Sequence, residues 1–195
     1  MKTILSDRKL GDIYLFESMF DGDFSHRVQE QMDQIKWLNH KIKVYGRYVK
    51  EPREVAFYGN RGVQYSYSGQ RLNACEWLPI FRELKDSLDL KLGTYYNSVL
   101  VNRYRDGHDY MGWHSDNEKE LGKNPIISSV SFGSPRDFIL RLKKDHTQKI
   151  KIHLKNGDLL VMGDLIQDLW EHSLPKRLKV TEARLNLTFR TIEQS

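Results

Sequence analysis

The chain has 195 residues, a formal net charge of +5 and a single cysteine, Cys75. That length suits one domain with a sizeable core, and one cysteine excludes an internal disulfide, a redox pair and a cysteine-rich zinc site. Met1 to Gly11 carries Lys2, Asp7, Arg8 and Lys9 and has no apolar run long enough for a signal peptide or membrane span. The expectation is therefore a soluble, intracellular monomer, cytoplasmic in a prokaryote or nuclear in a eukaryote.

In chain order, Phe24, Val28, Met32 and Ile35 recur at helical spacing, predicting a supporting helix over about 24–37 with Asp23 or Ser25 as its N-cap. Next comes a basic stretch from Lys36 to Arg71, in which Lys and Arg far outnumber Glu51 and Glu54. It is interleaved with Tyr45, Tyr48, Phe57, Tyr58, Tyr65 and Tyr67. Cations set among rings suit phosphates and bases, and they suit a solvated sheet edge equally well. A second helix begins near Pro79, where Ile80, Phe81, Leu84 and Leu88 share a face and Pro fits the first turn.

From Tyr95 the pattern changes to short apolar runs: Ser98–Tyr104, Ile126–Phe132, Asp137–Leu142, Ile150–Leu154, Leu159–Met162 and Leu185–Thr191. These read as strands. Asp106-Gly107 and Phe132-Gly133 mark turns, and Asn156-Gly157 between two runs signals a hairpin. Many short strands after supporting helices predict an α+β, mainly β fold, a double-sheet jelly roll with helices outside.

Two imidazoles and a carboxylate, His114-x-Asp116 and later His172, form the ligand set of a facial triad, which leaves positions open on Fe(II). Alone this means little, because chance would supply about half of one His-x-Asp pair in such a chain. Arg184-Leu185-Asn186-Leu187-Thr188-Phe189-Arg190 adds more. Strict alternation puts both arginines, Asn186 and Thr188 on one face and the apolar residues on the other. An inward-facing arginine pair needs an anion, and a dicarboxylate would serve. Asn102 and Tyr104, two apart on a predicted strand, can direct an amide and a phenol into the same cavity.

Asn102-Arg103-Tyr104, His114-Ser115-Asp116, His172-Ser173-Leu174-Pro175 and Arg184-x-Asn186-x-Thr188-x-Arg190 occur in one order, and together they resemble the AlkB family of alkylated nucleic acid repair dioxygenases. The similarity runs from about Val44 to Ile192 and is greatest to the double-stranded-DNA-repair branch. The resemblance implies a double-stranded β-helix, with a nucleotide-recognition lid over about 40–72 and a catalytic core over about 95–192 of one dioxygenase domain. It implies iron on His114, Asp116 and His172. It also implies 2-oxoglutarate on Asn102, Tyr104, Arg184, Asn186, Thr188 and Arg190, with O2 as the oxidant.

The activity so implied is demethylation of N1-methyladenine- or N3-methylcytosine-type bases in DNA, with decarboxylation of 2-oxoglutarate and release of formaldehyde. RNA or protein substrates, or a silent nucleic-acid-binding module, are the alternatives. By the same resemblance Glu118 faces the exocyclic amine of the base, and Tyr65, Tyr67 and Ser68 line the lid. Val44 and Tyr45 form a wedge for the gap left by a flipped base, and Arg53 lies near that gap. The chain departs from that branch in Tyr45, where Phe is expected, and in Ser115 and Asn117 beside the ligands, which bears on duplex preference. Residue by residue, Trp113 and Trp170 read as core aromatics, His108 as a loop residue, Lys143 to His146 as a solvated hairpin tip, and Cys75 as a small buried hydrophobe.

Overall fold

The computed structural model describes residues 1–38, 41–44, 47–67 and 70–193. The chain opens with a hairpin that the sequence reading left unassigned, β1 (Lys2–Asp7) and β2 (Gly11–Phe16). Helix α1 (Gly22–Glu30) is shorter than the predicted 24–37, and its N-cap is Asp21, whose Oδ1 accepts from Phe24 N at 2.8 Å. After Gln31 the chain tightens to a 3₁₀ turn, Met32–Gln34. A three-residue period carries the apolar side from Met32 to Ile35 without an α-helix, which is why spacing alone overextended it.

Two small hairpins flank a long strand: β3 (Lys41–Val44) with β4 (Arg47–Lys50), then β5 (Glu54–Gly59), then β6 (Gln64–Tyr67) with β7 (Gln70–Asn73). Helix α2 (Pro79–Leu92) follows as predicted, with Pro79 in its first turn, Gly93 as a left-handed C-cap, and Ile80, Phe81, Leu84 and Leu88 buried.

The remaining strands are β8 (Ser98–Tyr104), β9 (Met111–His114), β10 (Ile127–Gly133), β11 (Arg136–Leu142), β12 (Asp145–Leu154) and β13 (Leu159–Met162). After a one-turn helix, α3 (Ile166–Leu169), come β14 (Trp170–Leu174) and β15 (Arg184–Arg190). All six predicted strands are present within a few residues of their expected limits. β12 already begins at Asp145, because its exposed outer half gives no hydrophobic signal.

An antiparallel seven-stranded sheet, β1-β2-β13-β10-β15-β8-β5, faces a four-stranded sheet, β12-β11-β14-β9. On the outer face of the large sheet, Val28 of α1 and the apolar stripe of α2 meet Val99, Val101, Val130, Leu187 and Phe189. Between the sheets, Ile13, Leu15, Ile127, Phe138, Leu140, Ile152 and Leu160 fill one end. The other end is a cavity. This is the jelly roll with outer helices that the strand count predicted. Among the described residues no helix is long and apolar enough to cross a membrane.

Asn156-Gly157 makes no hairpin. β12 belongs to the small sheet and β13 to the large one, so the turn carries the chain between layers. Its polar groups are claimed by other elements: Asn156 Oδ1 accepts from Gly133 N, Gly157 N donates to Ser131 O, and Gly157 O accepts from Phe20 N. The true hairpin is β11–β12, whose tip is the predicted Lys143 to His146 stretch. Even there, Lys143 Nζ donates to Gln167 O at 2.8 Å.

Candidate active site

Two short strands of the small sheet, both absent from the sequence reading, bring the histidines together. β14 runs antiparallel to β9 with His172 opposite His114 and Leu174 opposite Met111. One residue on β14 thus faces two on β9, a bulge that turns Met111 and His114 to the same side. Both line the cavity, while Gly112 and Trp113 are exposed.

The ligand atoms of His114, Asp116 and His172 all lie within 4.8 Å of one another. The imidazoles meet edge to face, with centroids 4.2 Å apart. His114 Nδ1 lies 2.9 Å from Gly112 O, so the proton is held there and Nε2 is turned toward Asp116 Oδ1, 3.8 Å away. Burial pushes the His172 imidazole down to about 3, with His114 beside it adding to the effect, and burial also lowers His114. Both rings are therefore neutral, as metal ligands must be. Burial opposes the charge of Asp116, but Arg190, with His172 and His114 adding to it, holds the carboxyl well below the usual carboxylate range. Gln167 Oε1 accepts from Asp116 N at 3.0 Å and fixes the backbone beneath it.

All seven residues of β15 are buried, so both faces of the alternating strand are used. Leu185, Leu187 and Phe189 enter the helix-side core, and Arg184, Asn186, Thr188 and Arg190 line the cavity. The two arginines differ. Arg190 Nη2 donates to Asp116 Oδ2 at 2.7 Å. Arg184 donates through Nη2 to Ser131 Oγ at 3.0 Å, and no ion pair forms on it among the described residues. Burial pushes its guanidinium down to about 10. Buried polar atoms around this one cavity lack protein partners: Nε of Arg184, Nε and Nη1 of Arg190, and Nδ1 of His172. A dicarboxylate and a cation fit such a set, because each supplies the charge or lone pairs these atoms lack.

Asn102 and Tyr104, paired across from Asn186 and Arg184, also line the cavity, and the Tyr104 ring lies 5.5 Å from Arg184 Cζ. Asn186 and Thr188 are more self-contained. The Asn186 amide donates to Ser129 Oγ and Val130 O and accepts from Thr188 Oγ1, so these two shape the wall. Glu118 is half-buried beside Tyr65; burial, with Asp116 adding to it, raises its carboxyl. Tyr65 is fully buried, with Arg190 Cζ 5.4 Å from its ring centre. Tyr45 and Ser68 lie outside the described residues; Val44 ends β3 and Tyr67 ends β6.

Arg53 is not at the surface. It is 4% exposed and lines the cavity, donating through Nε to Asn102 Oδ1 at 2.9 Å and through Nη2 to Glu51 Oε1 at 3.0 Å. Sequence reasoning missed this place and missed Glu51. The available signal was Glu51-x-Arg53-x-Val55-x-Phe57, whose period of two puts all four side chains on one face. It also missed Arg136, 1% exposed, which donates to the carbonyls of Asp106, Asp109 and Pro175 and so holds the loops on either side of the histidine strands. Trp170 is buried as expected, with Nε1 donating to Leu10 O, but Trp113 is exposed beneath Arg141, whose Cζ is 4.0 Å from its ring centre. His108 is exposed in its loop beside Asp106, and Cys75 is half-buried against the helix-side core.

The model of the 2OG-Fe(II) oxygenase superfamily matches residues 19–190. Bovine DNA oxidative demethylase ALKBH2 is 40% identical over 185 residues, covering 91% of this chain and 66% of that protein. Human alpha-ketoglutarate-dependent dioxygenase alkB homolog 3 is 40% identical over 197 residues, covering 96% and 68%. This chain thus spans about two thirds of the length of each. The solved structure of OsALKBH1 superposes with a TM-score of 0.66 at 18% identity, covering 92% of this chain and 96% of that one, a likeness of fold. The superfamily's name states its requirements, Fe(II) and 2-oxoglutarate with O2, and the donor set around the cavity fits the first two. This is an Fe(II)- and 2-oxoglutarate-dependent dioxygenase, and the chain belongs to the AlkB family.

Proposed function

We propose that this enzyme oxidatively demethylates N-alkylated bases in DNA, of the N1-methyladenine and N3-methylcytosine type. The relatives named as a DNA oxidative demethylase support a DNA substrate. The observation that carries the reading is Glu118, half-buried beside Tyr65 and two residues beyond Asp116. In this reading His114, Asp116 and His172 hold Fe(II), and Arg184 takes the distal carboxylate of 2-oxoglutarate. Bound together, iron and cosubstrate would let O2 hydroxylate an N-methyl group as 2-oxoglutarate goes to succinate and CO2, and the hydroxymethyl group would then leave as formaldehyde.

The chain's own residues do the rest. Arg190 keeps Asp116 ionised by hydrogen-bonding it. The inter-sheet packing keeps the closed end of the cavity dry. Glu118 supplies a carboxylate to a cationic alkylated base, which it attracts more than a neutral one. A base within a duplex reaches this depth only by flipping, at a cost of a few kcal/mol that is smaller when methylation has already broken its pairing.

The test is anaerobic loading with Fe(II) and 2-oxoglutarate, then O2 with an N1-methyladenine DNA oligonucleotide, following succinate and DNA mass together. Succinate with loss of one methylene from the DNA is the expected result. Succinate with unchanged DNA would overturn the substrate, and the matched RNA oligonucleotide would be next.

A further inference from the structure

Asn102 is an amide, and an amide wall residue serves a bound anion only if its NH2 side faces in. At Asn102 the direction is set from outside. Arginine has donors and no acceptor, so the atom that Arg53 Nε meets at 2.9 Å must be the amide oxygen. That leaves Nδ2, the donor end, for the cavity. Arg53 is in turn held by Glu51 at 3.0 Å, and the side chains of both are 3% exposed. Such a pair, buried on the wall of a cavity, is costly to desolvate and gives geometric definition in return. Its place in the chain adds a second point. Glu51 and Arg53 follow β4 directly, at the foot of the β3–β4 hairpin, and precede β5, which pairs with the strand that carries Asn102.

We propose that Arg53 is a positioning residue for the cosubstrate: with Glu51 it locks the Asn102 amide so that its NH2 donates to bound 2-oxoglutarate. Arg53 thus acts on the cosubstrate, where family resemblance alone would set it against nucleic acid. The inference rests on reading the cavity as the 2-oxoglutarate site and is independent of which nucleic acid is demethylated.

The experiment is calorimetric titration of 2-oxoglutarate into Mn(II)-loaded protein, which binds without turning over, beside titration of an N1-methyladenine oligonucleotide into the same protein. Arg53→Met should weaken 2-oxoglutarate by about 10-fold or more and change oligonucleotide affinity less than about twofold. Arg53→Lys, which still donates but lacks the fork, should recover part of the loss. In an Asn102→Ala background Arg53→Met should cost little more, since the residue it positions is gone.

Should Arg53→Met not fold, Asn102→Asp is the second variant. It keeps an acceptor for Arg53 and removes the NH2 donor, so the folded protein should lose 2-oxoglutarate affinity. Unchanged 2-oxoglutarate binding in Arg53→Met or in Asn102→Asp overturns the proposal, as does a loss confined to the oligonucleotide or additive losses in the double variant. If the wild type itself does not bind 2-oxoglutarate, the reading of the cavity fails first.

Discussion

Arg190 and Asp116 are joined by a 2.7 Å hydrogen bond with side chains only 4% and 6% exposed, so one end of β15 is neutralised within the protein. Arg184, at the other end of the same cavity face, has no such partner among the described residues. The strand thus presents one guanidinium whose charge is already matched by a carboxylate and one that gains most from an incoming one.

Replacing Arg184 separates binding from folding. Arg184→Met should weaken 2-oxoglutarate by about 100-fold, the scale of losing a buried charge partner. The unliganded protein should be as stable as the wild type or more so, because a buried cation without a counter-charge costs free energy. Calorimetry with Mn(II)-loaded protein and a thermal melt of the unliganded protein check both halves, and unchanged cosubstrate affinity would sink the assignment.

Arg190→Met should behave oppositely. It strands the Asp116 carboxylate, so the unliganded protein loses about 3–5 kcal/mol, and Fe(II) affinity falls about 10- to 100-fold as an orienting partner of a ligand is lost. Urea denaturation without metal and competitive metal titration measure these separately. A variant with native stability would mean that solvent reaches Asp116 freely.

Glu118→Ala should lower kcat/KM for cationic N1-methyladenine more than it weakens 2-oxoglutarate binding, because Glu118 is argued to touch only the base. Steady-state kinetics on the methylated oligonucleotide beside cosubstrate titration decide this. Equal losses in both would place Glu118 in the support of the site.

Asp137 predicts a pH dependence. Burial alone would raise its carboxyl, but hydrogen bonds from His153, Arg177 and Lys151 hold it well below the usual carboxylate range. A depressed folded value means the cluster's stabilisation is fully present above the unfolded value of about 3.9 and disappears as pH falls through the folded one. Denaturation midpoints should therefore drop more steeply below pH 4 in the wild type than in Asp137→Asn. Parallel acid limbs would show that the cluster is already screened.

Two glycines test the turn that links the sheets. Gly157 has φ 78, and a Cβ there would meet Phe20 O at 2.0 Å, whereas Gly93, at φ 68, has open space around it. Gly93→Ala should cost about 1 kcal/mol for its left-handed backbone alone. Gly157→Ala should cost at least about 3 kcal/mol, since backbone must also move. Equal penalties by chemical denaturation would mean that the β2–α1 connection yields easily.

What was legible in the sequence follows from which signals are local. The alternation of Arg184 to Arg190 needs only its own seven residues, so both its faces were read correctly. The faces of α2 and the strand Ser98–Tyr104 were read the same way. β9 and β14 were not, because Gly112, Trp113 and Glu171 interrupt any period and the strands exist through pairing with each other and with β11. Asn156-Gly157 misled for a related reason: the local turn chemistry is right, but which strands flank it in space depends on partners far along the chain. Arg53 was assigned from family pattern, and only the packed cavity shows that its donor meets Asn102.

His114 and His172 face each other across neighbouring strands, so the gap between the rings is fixed by interstrand hydrogen bonding rather than by the chain that joins them. An engineer could lengthen the β11–β12 tip beyond Lys143, keeping that residue's bond to Gln167, without touching the metal centre. Removing a single residue of the β9 bulge is the opposite case: it would rotate His114 to the outside of the barrel while leaving the amino-acid motif almost intact. In variants of this protein, the presence of both histidines would then be no guarantee of activity; the length of the strand that carries the first would be the better guide.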